Sequence, residues 1–216
     1  MQYNSWLYLF PFLGGSLILY YLLPIKRRWI GLLFSSLLFY ILTMKSLVVV
    51  VLFTTAAIYL GARVIKQFNE TFKLKKKELD RAARKELKNK TTKKIRYVIA
   101  FLCFINFGIL FVTKYFNFFG ENINTLFNAL HIPAQIPFLN IFLPLGISFY
   151  TLSAISYVTD VARGVCKVER NYLRLLLFLI FFPVITEGPI SRYGQLGEEL
   201  KAEHRFDYKQ FCFGAQ

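Results

Sequence analysis

Residues 138–193 read FLNIFLPLGISFYTLSAISYVTDVARGVCKVERNYLRLLLFLIFFPVITEGPISRY, and three features of this stretch decide the fold. An apolar segment opens with Pro144 and Gly146 and then carries serines, threonines and tyrosines through its length. A charged elbow follows, with Asp160, Arg163, Lys167, Glu169 and Arg170. A second apolar segment breaks at Pro183 and ends at Gly188–Pro189. A simple membrane anchor needs none of these polar interruptions, because polar groups at membrane depth are costly unless they face protein or water.

Working outward, the chain of 216 residues is 56% hydrophobic and 18% aromatic, with a formal net charge of +15. That balance, with its long apolar runs, places the chain among polytopic all-α membrane proteins. The basic residues are concentrated in the links between apolar runs. They follow the positive-inside bias of membrane proteins rather than forming a nucleic-acid surface. Three scattered cysteines, Cys103, Cys166 and Cys212, have no metal-ligand spacing and read as reduced thiols, so no metal site is expected. No basic region precedes the first apolar run, so that run is expected to stay as a span rather than be cleaved as a signal.

The apolar runs at 6–23, 29–42, 46–65, 97–113 and 138–158 predict about five spanning helices in a single membrane domain, 1–216. Pro11 and the Gly14–Gly15 pair suggest a kink or close helix contact in the first. The link 66–96 holds thirteen Lys/Arg against four Asp/Glu. Acid-before-base pairs four apart, Asp80 with Arg84 and Glu86 with Lys90, predict a surface helix within it. As the most basic link it is assigned to the cytoplasm, where it is a solvated loop or a docking surface for anionic lipid heads. The turn Lys26–Arg28 lies two crossings away on the same side, so the N-terminus is expected outside the plasma membrane. Residues 114–137, with Asn117, Gly120, Asn122, Asn124 and two prolines among aromatics, predict short interfacial helices on the outer face. His131, next to this break, reads as a surface residue.

On a helix from 138 to 158 and beyond, Gly146, Ser153, Ser156, Asp160 and Arg163 fall within about a third of the circumference, predicting a stripe turned away from lipid. Asp160 and Arg163, three apart, are placed to pair. Residues 172–185 are too few for a span, and basic clusters flank them on both sides. A re-entrant or in-plane segment, 172–190, with both ends cytoplasmic is therefore expected.

Leu143–Gly164 (LPLGISFYTLSAISYVTDVARG) and Phe181–Tyr193 (FFPVITEGPISRY) resemble two blocks of the membrane-bound O-acyltransferase family. The similarity is greatest to the branch of the alginate O-acetyltransferase membrane subunit and the D-alanine transfer protein of teichoic acid synthesis. The resemblance implies the N-terminal half of a tunnelled membrane enzyme. Such an enzyme passes an acyl group, by expectation acetyl, from a cytoplasmic thioester toward a cell-envelope polysaccharide. The donor would be acyl-CoA or an acyl carrier protein, and an extracytoplasmic acetyltransferase is a possible partner besides the lipid bilayer; no bound cofactor is implied. The family's general-base histidine lies beyond this sequence, so no catalytic residue is assigned and the chain alone is expected to be inactive. Members of the family are about twice as long. Glu187 departs from the uncharged residue expected there, with Arg192 as its candidate partner.

The residues expected to shape the acyl-donor path are Pro144, Gly146, Ser148, Tyr150, Asp160, Arg163, Pro183, Gly188, Pro189 and Arg192. Glycine and proline would set the bends, and the arginines would meet donor phosphates. The alternative is a non-catalytic scaffold or transporter-like protein, since broken helices and intramembrane polar residues also mark transporters.

Overall fold

A computed structural model describes residues 11–44, 48–76, 79–138, 146–185, 191–203 and 207–214, and every regular element among them is helical. The elements are α1 (Leu13–Leu22), α2 (Arg28–Met44), α3 (Val48–Lys75), α4 (Arg81–Leu110), α5 (Phe116–Ala129), α6 (Ile147–Arg163), α7 (Tyr172–Ile180) and α8 (Tyr208–Gly214). A 3₁₀ turn at Ile25–Arg27 precedes α2, and π-helical turns occupy Phe111–Tyr115 and Tyr193–Gly197.

The basic link is helical almost throughout. α3 runs on to Lys75 and α4 restarts at Arg81, so the two form a long antiparallel hairpin. Lys66 pairs with Glu70 at 3.5 Å and Glu86 with Lys90 at 2.7 Å, the spacing that favours an exposed helix. Asp80 and Arg84 make no such ion pair; Asp80 is the N-cap residue, and its carbonyl accepts from the Arg84 amide at 2.8 Å. The hairpin closes tightly where Gly61 faces Leu102, because a Cβ at Gly61 would collide with the leucine side chain. At Gly14 and Gly15, by contrast, no atom of the described residues lies within 4 Å of a would-be Cβ.

Residues 114–137 depart from the expected short helices. The chain continues through the π turn into α5, giving one helix from Arg81 to Ala129, 49 residues long. The polar residues expected to break it are satisfied within it: Asn122 donates to the Phe118 carbonyl at 2.7 Å and Thr125 to that of Glu121 at 2.9 Å. After His131, exposed and at φ 54°, the chain folds back along α5. There Asn124 accepts from the Ile136 amide at 2.7 Å and donates to its carbonyl at 2.9 Å.

Helices occupy all five positions expected to span, but a count of five spans is not confirmed. Only α3 and the Arg81–Ala129 helix are long and apolar enough to cross a membrane among the described residues. α2 and α6, at 17 residues each, reach about 25 Å, less than a hydrocarbon core of about 30 Å. The α4 surface carries large exposed apolar groups, Tyr97, Phe101 and Phe104 among them, the last 78% exposed. A patch of this kind suits contact with lipid.

α7 is the hub of the core. It packs against α2, α3 and α6, and every residue from Leu175 to Ile180 is buried. One apolar cluster joins Ile58, Ala62 and Ile65 of α3 to Leu102, Tyr157, Leu175, Phe178 and Tyr193. The other joins Phe39 and Tyr40 of α2 to Tyr150, Leu176, Ile180 and Phe182.

Candidate functional site

α6 ends in a Schellman motif. Gly164 takes the left-handed conformation (φ 75°), its amide donates to Val161 at 3.1 Å, and the Val165 amide donates to Asp160 at 2.9 Å. This turns the chain into the elbow at 164–171. Asn171 then caps α7 by accepting from the Leu173 amide at 2.9 Å. Tyr59 of α3 pins the elbow by donating to the Arg170 carbonyl at 2.7 Å, and Tyr172 donates to the Leu52 carbonyl at 3.0 Å.

Glu169 sits at the centre of this turn with its side chain only 7% exposed. One carboxylate oxygen accepts from the Arg170 and Asn171 amides at 2.7 and 2.9 Å. The other accepts from the Tyr193 hydroxyl at 2.5 Å and meets Lys201 Nζ at 2.8 Å. The Glu169 amide donates to the Tyr157 hydroxyl at 2.9 Å. Burial alone would raise the carboxyl pKa, but the bonds from Lys201, Tyr193 and Asn171 overcome it and hold the group near 2. Tyr193 is pushed up by burial and by the same carboxylate. Glu169 lies before α7, and Tyr193 and Lys201 lie after the turn that follows it. The two arms of the segment therefore meet at one end.

Around the elbow lie three concavities that share Val168 and Arg170. One, of about 560 Å³, is bordered by Lys66, Lys73, Lys167 and Arg170. A second, of about 730 Å³, is bordered by Lys167, Arg170, Arg174 and Lys201. The third, of about 320 Å³, lies between Arg63, Lys66 and Arg170. The hairpin, the elbow and the returning chain thus bring their basic residues to the same end of the molecule.

The residues expected from sequence are distributed differently. Pro144, Gly188 and Pro189, with Glu187, lie outside the described residues. Gly146 starts α6 in the left-handed conformation (φ 67°), where a Cβ would fall on the Ile185 carbonyl. Ser148 is half-buried, Pro183 is exposed in the turn after α7, and Arg163 and Arg192 are exposed and line none of the three concavities. The polar stripe of α6 is turned inward, with Ser153 and Asp160 buried. Asp160 and Arg163 form no ion pair; their spacing is right, but Asp160 faces the bundle while Arg163 is exposed. The Tyr150 hydroxyl faces Thr54, whose own hydroxyl is committed to the Val51 carbonyl at 3.0 Å, and no bond of good geometry joins them. Tyr40, Thr55 and Thr151 likewise keep buried hydroxyls without partners among the described residues. Between α6 and α7, the space beside Tyr150 and Ser153 amounts to about 10 Å³, about the room one water needs.

The elbow charges are evident in the sequence, but nothing in it singles out Glu169, Lys201 or the Lys66–Lys73 face of α3 as part of a site. The available signal was the coincidence of charge in two links the sequence keeps apart. Only the three-dimensional return of the chain joins them. Among the described residues no group of histidine, cysteine, aspartate or glutamate could hold a metal ion.

No family model matches the chain, and no solved structure matches it. Among curated proteins, the "Probable alginate O-acetylase AlgI" of Pseudomonas syringae pv. tomato is 34% identical over 104 residues, 47% of this chain and 18% of that protein. The protein of that name from Pseudomonas aeruginosa is 33% identical over 97 residues, 44% of this chain and 18% of its own length. The "Teichoic acid D-alanyltransferase" of Bacillus subtilis is 34% identical over 70 residues, 32% of this chain and 18% of its own. The matched segments span about a fifth of these relatives. Over about half its length the chain is a homologue of the probable alginate O-acetylases, bearing out the family resemblance carried by its two sequence blocks.

Proposed function

We propose that the chain is part of a membrane O-acyltransferase that moves an acyl group, acetyl in the first instance, from a cytoplasmic thioester toward a cell-envelope polysaccharide. The observation that carries this reading is homology to two groups of relatives whose names share acyl transfer to a polymer, alginate in one and teichoic acid in the other. The geometry is compatible with it. A nine-residue helix too short to cross is held in the centre of the bundle, and both arms of its segment meet at Glu169 beside the basic hairpin.

In this reading the chain is multi-pass in the plasma membrane, with the hairpin, elbow and return on the cytoplasmic side and the N-terminus outside. Residues 172–190 dip into the membrane from the cytoplasm. The donor is an acyl-CoA or an acyl carrier protein, and an extracytoplasmic acetyltransferase is the onward partner. In this reading the elbow's residues bind and position the donor, and the general base is the histidine that the family resemblance implies.

The test supplies radiolabelled acetyl-CoA, or a labelled D-alanyl carrier protein, to two sets of membranes. One carries this chain alone; the other carries the gene with the coding sequence that follows codon 216. Label appearing in polysaccharide only with the second set is the expected result. Absence of transfer from either donor in both sets overturns the reading.

A further inference from the structure

The charge pattern of the helix Arg81–Ala129 sets the depth at which a bilayer would surround it. Between Arg96 and Lys114 the sequence holds no charged residue. That interval measures about 27 Å along the axis, close to a hydrocarbon core of about 30 Å. Its exposed face is aromatic at the hairpin end, where Tyr97, Phe101 and Phe104 are 73%, 63% and 78% exposed. Spaced four and then three apart, these rings form a single stripe.

Three cations crown the stripe. Lys93, Lys94 and Arg96 stand within about 6 Å of Tyr97 along the axis, the depth of lipid head groups. By helix spacing Lys93 and Arg96 flank the stripe on one side and Lys94 on the other. All three are exposed, and none makes an ion pair among the described residues. Lys94 lies over the Phe68 ring of α3 at 5.8 Å, which orients its ammonium without neutralising it. Of the hairpin's carboxylates, Glu70 is committed to Lys66 and Glu86 to Lys90. Asp160 of α6, which packs on α4, is buried and makes no ion pair with the three cations. Distance sets the hairpin's other basic residues on α4 apart. Lys85 lies about 18 Å from Tyr97 along the helix and Arg81 about 24 Å, beyond the screening length of about 10 Å in 0.1 M salt.

We infer that the α4 face from Lys93 to Phe104 binds an anionic phospholipid of the leaflet on the hairpin side, with its phosphate among Lys93, Lys94 and Arg96 and its acyl chains along the aromatic stripe. Charge complementarity selects the anionic head, and the apolar stripe directly below selects a lipid over a free phosphate. The inference needs this helix to cross a membrane and is independent of the acyltransferase reading.

The test places the 216-residue chain in bilayers of phosphatidylcholine and phosphatidylglycerol, with bromine on the acyl chains of one lipid or the other. Tyr97→Trp supplies a local indole. Its quenching, taken as the difference from the chain without that substitution, gives the relative affinity of the two lipids. Phosphatidylglycerol should be preferred about tenfold, and the preference should fall as salt is raised. K93Q and R96Q should each cut it about threefold, and the triple variant K93Q/K94Q/R96Q should abolish it. K85Q, an exposed position on the same helix, should leave it unchanged. Soluble glycerol 3-phosphate should not displace the lipid. Equal affinity for the two lipids, or no quenching by either, overturns the inference. So does a loss with K85Q as large as with K93Q, which would mean a diffuse attraction of the whole basic link. Displacement by glycerol 3-phosphate overturns it as well, because the site would then read phosphate without lipid. A preference that survives the triple variant places the lipid on another surface and overturns it too.

Discussion

At the scale of single residues, two glycines of α6 share one conformation but not one environment. Gly146 and Gly164 have φ of 67° and 75°, values that cost an L-residue about 1–2 kcal/mol. No atom of the described residues lies within 4 Å of a Cβ built at Gly164, whereas one at Gly146 meets the Ile185 carbonyl and side chain. Gly164→Ala should therefore cost about 1 kcal/mol and Gly146→Ala about 2–4 kcal/mol, the excess being overpacking. Thermal unfolding of the two variants in the same detergent checks the ordering, and equal losses would mean that α6 and the turn after α7 are not in contact. Glu169 offers a second residue-scale test. Its carboxyl is held near 2 against an ordinary 4.5, so folding favours the ionised form. Its contribution, about 3 kcal/mol, is complete above about pH 4.5 and is lost as pH falls toward 2. Glu169→Gln should lower stability at neutral pH and flatten the loss between pH 4.5 and 2. A variant whose acid profile parallels that of the parent would place the titration elsewhere.

At the scale of elements, the sequence was most legible where periodicity and charge spoke together. The inward stripe of α6, the short α7 and the helical face at Glu86–Lys90 could all be read from it, because spacing alone puts those residues on one face. Within residues 114–137 the Asn and Gly residues look like breaks in the sequence, yet the helix runs through them to Ala129. A helix absorbs Asn122 and Thr125 when their side chains bond the preceding turn, and Gly120 serves a contact instead, with Ile136 3.3 Å from its would-be Cβ. The partner that makes sense of Asn124 is twelve residues away, at a distance no local pattern encodes. Asn124→Ala would leave the Ile136 amide and carbonyl without their protein partner, costing about 1–3 kcal/mol where they stay shielded from water. Hydrogen exchange should then show the Ile136 amide losing protection while amides in α4 keep theirs. If Ile136 remains protected, the fold-back is held by packing against Gly120 alone.

At the scale of the whole molecule, basic residues from three separate stretches gather at one end. Lys66 and Lys73 of the hairpin, Lys167 and Arg170 of the elbow, and Lys201 of the return border connected concavities. The sequence disclosed each cluster but not their convergence, which depends on the chain doubling back after α7. Were α7 to cross the membrane, Tyr193 and Lys201 would lie a bilayer away from Glu169 instead of at 2.5 and 2.8 Å. The doubling-back therefore carries a topological prediction, testable with a membrane-impermeant maleimide after Cys103, Cys166 and Cys212 are replaced by serine. Arg192, Lys93 and Glu121 are all exposed, and each takes a single cysteine in turn. Lys93→Cys reports the hairpin side and Glu121→Cys the far end of the 49-residue helix. Arg192→Cys should label together with Lys93→Cys in inverted vesicles and stay silent in right-side-out ones, where Glu121→Cys reacts. Labelling of Arg192→Cys alongside Glu121→Cys would mean that the segment crosses, and a donor arriving from the cytoplasm would then have no closed elbow to enter.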